Sequence, residues 1–273
     1  MRVFSTILCF VFFAATVCSQ PVVAKKHFQL FLLAGQSNMA GRGVVEANDK
    51  QTHPRIWVLN KHNEWQLAAE PLHFDKPGVT GVGPGLAFAR QLLATDSNLV
   101  IGLIPCAVGG SPIEVWQPGK FYEPTKCYPY DDAVKRMKIA GQYGTFKGIL
   151  WQQGESDCDS IRAKIYGDNL VALVKRFRKQ IHLKSLPFFA GTIAEFYTKS
   201  HPYGKIINQA IAGVPSKLKH TMVVDAAGLT PNADNIHFNN ISARELGKRF
   251  AKGYISFVEP KAERRKNKKL STK

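Results

Sequence analysis

Short apolar runs alternate with longer amphipathic runs along most of this chain. We predict strands at residues 28–34, 99–104, 148–151, 187–193 and 221–225, and helices at residues 84–94, 131–142, 161–181, 203–212 and 242–257. Residues 55–60 and 64–67 are predicted as a short β-hairpin in an inserted loop. Strands that alternate with helices favour a parallel sheet with right-handed crossovers. The sequence therefore predicts one large α/β domain whose central, mostly parallel sheet has five strands.

The first apolar run ends directly in the turn Gly35-Gln36-Ser37-Asn38-Met39. In open α/β sheets, ligands bind outside the carboxyl ends of the strands. A serine on a tight turn at that place presents its hydroxyl outward, and its backbone N–H can face a developing oxyanion. Ser37 is therefore a candidate nucleophile, with an ordinary Gly/Ser/Asn turn as the alternative.

A carboxylate and an imidazole, Asp234 and His237, lie three positions apart just before the last predicted helix. A serine hydroxyl is a weak nucleophile that needs a base, and the base needs a group that fixes its tautomer. His237 is therefore the candidate base and Asp234 the candidate orienting group. The alternative for Asp234 is a cap on the following helix, a task that Asn239 or Asn240 would also suit.

Four segments, taken in order along the chain, resemble the SGNH hydrolases. They are Gly35-Gln36-Ser37-Asn38-Met39, the turn Cys106-Ala107-Val108-Gly109-Gly110-Ser111, Gln153-Gly154-Glu155-Ser156-Asp157, and Asp234-x-x-His237. More closely, they look like the carbohydrate-esterase branch that contains sialate O-acetylesterase-like domains and plant acetylxylan-esterase-like proteins. The resemblance covers nearly all of the chain after about residue 27. It implies a flavodoxin-like three-layer α/β/α sandwich, and hydrolysis of acetyl esters on sugars with no metal or other cofactor.

The resemblance also implies roles for the matching residues. Ser37 is expected to be the nucleophile, with His237 acting first as general base and then as general acid, and Asp234 orienting His237. The oxyanion hole would combine the backbone N–H groups of Ser37 and Gly110 with the side-chain amide of Gln153. Gly109 is the alternative to Gly110, and Gly110 is favoured.

Other residues of these motifs are expected to support the site or to touch substrate. Glu155 is expected to hold the loop or the amide, because a carboxylate aimed at an oxyanion would oppose catalysis. Arg42 either contacts substrate or braces the nucleophile turn. The remaining supporting positions are Gln36, Asn38 and Gly109. The seven histidines other than His237 show no metal-ligand spacing, and no metal site is predicted.

The amino terminus has the features of a signal peptide. Met1-Arg2 forms a short positive region, and the apolar region at 7–17 is too short to span a bilayer comfortably. The alternative is an uncleaved signal anchor. We predict a signal peptide at 1–24, an esterase domain at 27–258 and a basic, disordered tail at 259–273. The mature protein is thus expected to be secreted, with no membrane contact after cleavage.

Three cysteines remain after the leader, namely Cys106, Cys127 and Cys158. Cysteine use of this kind fits an oxidising compartment. The simplest arrangement is one disulfide and one buried thiol. Cys106 is a candidate to pair with Cys127, and Cys158 is an equally suitable partner.

The chain is strongly basic, with a formal net charge of +17. The predicted tail is the densest part, with Lys261, Arg264, Arg265, Lys266, Lys268, Lys269 and Lys273. Net charge bears on association rather than on fold, and we expect this tail to attract an acidic matrix such as uronic-acid-bearing polysaccharide. No aromatic-interleaved nucleic-acid module is visible, so nucleic acid is not an expected partner.

The leading functional hypothesis is a secreted serine esterase that removes acetyl groups from a polysaccharide or oligosaccharide. One alternative is an SGNH lipase or thioesterase that acts on other acyl groups. Another is a non-catalytic carbohydrate-binding protein on the same fold. Four aromatic residues after the Gly109-Gly110 turn are candidates for a sugar-stacking wall or for the core: Trp116, Phe121, Tyr122 and Tyr128.

Overall fold

A computed structural model describes Pro21 and residues 23–259. The predicted signal peptide and basic tail lie almost entirely outside these residues. The strands are β1 Phe28–Gly35, β2 Ile56–Leu59, β3 Trp65–Leu67, β4 Val100–Pro105, β5 Thr145–Gln152, β6 Phe188–Gly191 and β7 Thr221–Val224. The α-helices are α1 Ser37–Ala40, α2 Pro84–Thr95, α3 Pro129–Tyr143, α4 Arg162–Gln180, α5 Glu195–Thr198, α6 Gly204–Lys217 and α7 Asn240–Val258.

The strands form one sheet in the order β3-β2-β4-β1-β5-β6-β7. Every neighbouring pair is parallel except β2 and β3, so the mostly parallel sheet is confirmed. The count of five strands is wrong, because the hairpin belongs to the sheet: Ile56 of β2 aligns with Ile101 of β4. All four residues of β2 are buried, and a hairpin outside the sheet would leave such a strand uncovered.

Helices cover both faces of the sheet, and β1 divides its side chains between them. Leu30 and Leu32 pack in the cluster with α3, α4 and α6, whereas Phe31 and Leu33 pack with α2 and α7. Successive strand residues point to opposite faces, and a strand buried on both sides reads as a continuous apolar run. The predicted three-layer α/β/α sandwich is therefore confirmed.

The centre of the sheet is where the chain changes direction. After β1 the chain forms β2, β3 and β4 on one side of that strand, and it then crosses over to add β5 on the other side. Such a switch point opens a crevice beyond the carboxyl ends of the central strands. This crevice lies next to the turn that carries Ser37. Within residues 23–259, no helix has the length and apolarity needed to cross a membrane.

The three described cysteines are free thiols, so the expected disulfide is not found. The three thiols lie in different environments. Burial raises the pKa of Cys106 to about 11. Cys127 Sγ lies 3.1 Å from Thr125 Oγ1. Cys158 Sγ donates to the carbonyl of Gly154, and its burial raises its pKa to about 12.

Candidate active site

The nucleophile turn begins at Gly35, the last residue of β1. Gly35 has φ +130°, and a Cβ at this position would collide with the backbone of Gln152 on β5. The next N–H, that of Gln36, donates to the Gln152 carbonyl at 2.9 Å. Only glycine fits here, because it has no Cβ to block the close approach of the two strands and it adopts a positive φ without strain. The turn therefore places Ser37 at the carboxyl edge of the sheet, as the first residue of the single-turn helix α1.

The structure brings Ser37, His237 and Asp234 into one chain of contacts. Ser37 Oγ lies 2.9 Å from His237 Nε2, and His237 Nδ1 lies 2.7 Å from Asp234 Oδ2. Asp234 Oδ1 accepts the backbone N–H groups of Ile236 and His237 at 2.8 and 2.9 Å. The cap of α7 is Asn239, whose side chain accepts the N–H of Ser242, so Asp234 is not needed for capping.

The carboxylate of Asp234 is held in its charged form. Its side chain is 43% exposed and that of His237 is 21% exposed. Desolvation raises the pKa of Asp234, but the hydrogen bonds from the backbone and ring of His237 and from Ile236 outweigh it and lower this pKa below its usual value. An ionised carboxylate on Nδ1 leaves Nε2 free to accept a proton from Ser37.

The side chain of Asn38 joins the nucleophile turn to the loop that carries His237. Asn38 Nδ2 donates to Glu155 Oε1 at 2.7 Å and to the carbonyl of Ile236 at 3.3 Å. Asn38 Oδ1 accepts the N–H of Phe238 at 3.0 Å. Burial raises the pKa of Glu155, and the bond from Asn38 opposes this rise. The peptide groups on both sides of His237 are thus tied to the residue after Ser37.

We expect Asn38→Ala to lower kcat about 100-fold with little change in KM, because a misplaced base costs rate rather than binding. Steady-state kinetics on an acetyl ester measure this effect. Asn208→Ala is a matched control. Asn208, on α6, also donates through Nδ2 to a backbone carbonyl and accepts a backbone N–H through Oδ1, but both of these groups belong to Ile193. Equal losses of kcat in the two variants would contradict a positioning role for Asn38.

The Gly109-Gly110 turn faces the nucleophile, since a Cβ at Gly109 would lie 3.6 Å from the Cβ of Ser37. The N–H of Gly109 donates to Asp75 Oδ2 at 2.7 Å. The N–H of Gly110, which has φ +80°, has no acceptor among the described residues. Arg42 braces this arrangement, because its Nη2 also bonds Asp75 Oδ2 and its Nη1 donates to the carbonyl of Gly41. Gly110 is therefore the better placed of the two glycines to meet an oxyanion.

The amide of Gln153 is used inside the protein, which differs from the expected oxyanion contact. Gln153 is fully buried, and its Nε2 donates to Asp157 Oδ2, to the carbonyl of Ser111 and to Gln36 Oε1. Burial raises the pKa of Asp157 to about 6, against the bonds from Gln153 and Ile113. A buried carboxylate needs such donors. Gln153 therefore supports the loops under the site and does not line the cleft.

The cleft over Ser37 has a volume of about 660 Å³ and is open to solvent. It is lined by the candidate residues Gln36, Ser37, Arg42, Gly109, Gly110, Glu155, Asp234 and His237, together with Lys76, Val79, Ser156, Tyr197 and Ile236. A cleft of this size suits a small ligand.

None of the four aromatic residues named as candidates for a sugar-stacking wall lines the cleft over Ser37. Trp116 is completely buried and packs edge-on against Trp151, so it belongs to the core. Phe121 and Tyr128 are exposed, with ring centroids 5.1 Å apart. The Oη of Tyr122 lies 3.0 Å from where a Cβ of Gly110 would be. In the described part of the chain, no cluster of three or more His, Cys, Asp or Glu residues is arranged to hold a metal ion.

Residues 27–256 match the family described as "Carbohydrate esterase, sialic acid-specific acetylesterase". The chain belongs to this family of carbohydrate esterases. Its sandwich has the SGNH hydrolase fold, in agreement with the resemblance found in the four motifs.

Individual relatives agree with this assignment. The chain is 38% identical over 252 residues to a probable carbohydrate esterase from Arabidopsis thaliana, covering 84% of this chain and 90% of that protein. The solved structure of the Arabidopsis protein has a TM-score of 0.75 and 36% identity, over 84% of this chain and 98% of that one. Human sialate O-acetylesterase is 28% identical over an alignment of 188 residues that covers 56% of this chain and 36% of that longer protein. NanS, at 20% identity and a TM-score of 0.68 over 86% of this chain and 99% of that one, shares the fold.

Proposed function

We propose that this protein is a serine esterase that removes O-acetyl groups from carbohydrate, with Ser37 as its nucleophile. The observation that carries the proposal is the chain of contacts from Ser37 Oγ through His237 to Asp234, at 2.9 and 2.7 Å. It lies at the switch point of the sheet, in a member of a family of carbohydrate esterases. Secretion is part of the proposal and rests on the amino-terminal sequence alone.

The reaction follows from the positions of these groups. Ser37 Oγ attacks the acetyl carbonyl carbon while His237 Nε2 takes its proton. The tetrahedral intermediate collapses when His237 returns this proton to the sugar oxygen, which leaves as an alcohol. Water then attacks the acetyl-Ser37 ester, with His237 again as the base. The bond between the acyl carbon and Ser37 Oγ breaks, His237 returns the proton to Ser37 Oγ, and acetate is released. Asp234 holds the ring and stabilises the imidazolium in both steps.

The oxyanion would be bound by the backbone N–H groups of Ser37 and Gly110. Removing one such donor typically costs about 10²–10³ in rate. Gln153 contributes by its bonds beneath the site, which hold Ser111 and the side chain of Gln36 in place. This assignment leaves the buried Gln153 amide out of the hole, in contrast to the role that the family resemblance implies.

Carbohydrate as the leaving group rests on the family, and the open cleft supports it. Esters of longer acyl chains are a second candidate, because Val79 and Ile236 line the cleft and are exposed. A purely sugar-binding role is a weaker proposal, since a binding protein has no use for an aligned nucleophile, base and carboxylate. The acetylated carbohydrate remains the proposed partner.

Acetate release by the full chain tests the proposal. We expect turnover of acetylated xylan or O-acetylated sialic acid, and of 4-nitrophenyl acetate. In a series of 4-nitrophenyl esters, kcat/KM should fall as the acyl chain lengthens beyond acetate. A maximum at eight carbons or more would favour the lipase alternative. Inertness on every ester, together with retained glycan binding, would favour the non-catalytic one.

A further inference from the structure

The amino edge of the sheet, on the side opposite the candidate active site, carries a group of lysines that we call the basic edge. Its members are Lys25, Lys26, Lys147, Lys179, Lys184 and Lys219. Lys147 is half-buried and the others are exposed. None of them forms an ion pair within the described residues. Their charges are therefore available to a partner.

Few acidic groups balance these lysines. Within residues 23–259, the acidic residues in the loops and chain ends at this edge are Asp96 and Glu259. Many of the others follow strands at the opposite edge, as Asp159 and Asp234 do. The separation of charge makes the amino edge electropositive, and such a surface draws in and concentrates anions.

Helix dipoles account for only some lysines of the basic edge. The major helices end at this side of the sheet, and a cation in a last turn stabilises the negative end of a helix. Lys179, in the last turn of α4, fits that explanation. Lys219 directly follows the C-cap of α6 and fits it as well. Lys147 lies on β5, and Lys184 lies in the loop before β6, four residues beyond the end of α4, so these two lysines are outside any last turn.

An open groove of about 700 Å³ runs along the same edge. Its floor is apolar and includes the buried aromatic residues Phe146 and Tyr254. Its rim carries the cations Lys147 and Lys184 together with His182. An apolar floor bordered by cations suits a chain that alternates apolar ring faces with carboxylates.

We propose that the basic edge and its groove form a second binding site, for a carboxylate-bearing polysaccharide, that holds the protein on this polymer while the cleft at the opposite edge stays free. The positive charge of this edge does not depend on the proposed function, but the choice of a polysaccharide as the anion rests on that function.

The carboxyl-terminal sequence continues from this same place. Val258 lines the groove, and seven Lys or Arg residues follow within 260–273, against the single acidic residue Glu263. A segment of that composition does not complement the basic edge in charge, whereas a polyanion does.

Binding of the full chain to polygalacturonate tests the site, with unsubstituted xylan as the uncharged polymer. We expect salt-dependent binding to polygalacturonate and little binding to xylan. The variant K147E/K184E should raise Kd about tenfold or more, because it removes two attractions and adds two repulsions. The control K135E/K248E makes the same change in net charge at two exposed lysines elsewhere, and should change Kd less than about twofold.

The proposal would be overturned if wild type did not bind polygalacturonate at low salt, or if both double variants weakened this binding equally. It would also be overturned if duplex DNA or phosphatidylserine vesicles bound as tightly as polygalacturonate at the same salt and with the same dependence on the basic edge. Hydrolysis of 4-nitrophenyl acetate, measured on the same proteins, distinguishes failure of the binding site from failure of the proposed esterase function. Edge-dependent binding without esterase activity would leave the site standing and remove the esterase. Esterase activity unchanged in K147E/K184E is expected, because the cleft lies at the other edge.

Discussion

Replacement of Ser37 by alanine is expected to lower kcat for an acetyl ester by about 10⁴-fold or more. The variant lacks the oxygen that lies 2.9 Å from His237 Nε2, so neither attack nor the acyl-enzyme is possible. The fold should persist, because alanine keeps the backbone of α1 and leaves no large cavity. Initial rates of acetate release and the thermal midpoint, measured on the same preparation, check both parts of this expectation.

Ser156→Ala is the matched control for this variant. Ser156 lines the same cleft, but its Oγ donates to the carbonyl of Gly110 rather than contacting His237. We expect its loss of kcat to be below about tenfold, since only one hydrogen bond beside the turn is removed. The double variant S37A/H237A should be no slower than S37A alone, because residues that act as one unit are not additive. Comparable losses in S37A and S156A would contradict Ser37 as the nucleophile.

Replacement of Gly35 by alanine is expected to lower the free energy of unfolding by more than about 3 kcal/mol and to abolish activity. Two costs combine at this position. The φ of +130° is strained for any residue with a Cβ, and the new methyl group would meet backbone atoms of Gln152, which no side-chain rotation can move away. The central strands β1 and β5 would have to separate just below Ser37. Urea unfolding, monitored by tryptophan fluorescence, measures the change.

Gly78→Ala distinguishes the cost of backbone strain at a positive φ from the cost of a Cβ clash. Gly78 also has a positive φ, +89°, but a Cβ there would meet nothing within 4 Å. Its cost is therefore conformational strain alone, about 1–2 kcal/mol. If Gly35→Ala were no more destabilising than Gly78→Ala, the close approach of β1 and β5 would not be what requires a glycine before the nucleophile turn.

The parts of the fold and site that depend on local pattern could be predicted from the sequence. The strand that ends in Gly35 and the turn that follows it are a local pattern of apolar and turn residues. Asp234 and His237 are close enough along the chain for one turn to bring them together, and they are found 2.7 Å apart. Apolar periodicity also predicted the three layers, because a continuous apolar run indicates a strand buried on both faces and an amphipathic run indicates a helix with one buried face.

The predictions that failed concern contacts between distant segments. The hairpin was placed outside the sheet because nothing in residues 55–67 shows that Ile56 aligns with Ile101 of β4. The role of the Gln153 amide at the oxyanion comes from the family resemblance and stays a prediction. The sequence does not show that this amide donates to Asp157, to the Ser111 carbonyl and to Gln36, from three different loops. The disulfide was expected from the number of cysteines, which carries no information on where their thiols lie.

The sequence by itself therefore determined the α/β alternation, the polar turn after β1 and the pairing of Asp234 with His237. These features arise from side-chain periodicity and turn chemistry within a few residues. Only the tertiary structure decided that the sheet has seven strands. It also decided that the N–H of Gly109 donates to Asp75, whereas the N–H of Gly110 has no acceptor among the described residues. Finally, it brought lysines from five separate segments to the edge opposite the cleft. Those features are contacts between residues far apart in the chain, and packing of the whole domain is what brings such residues together.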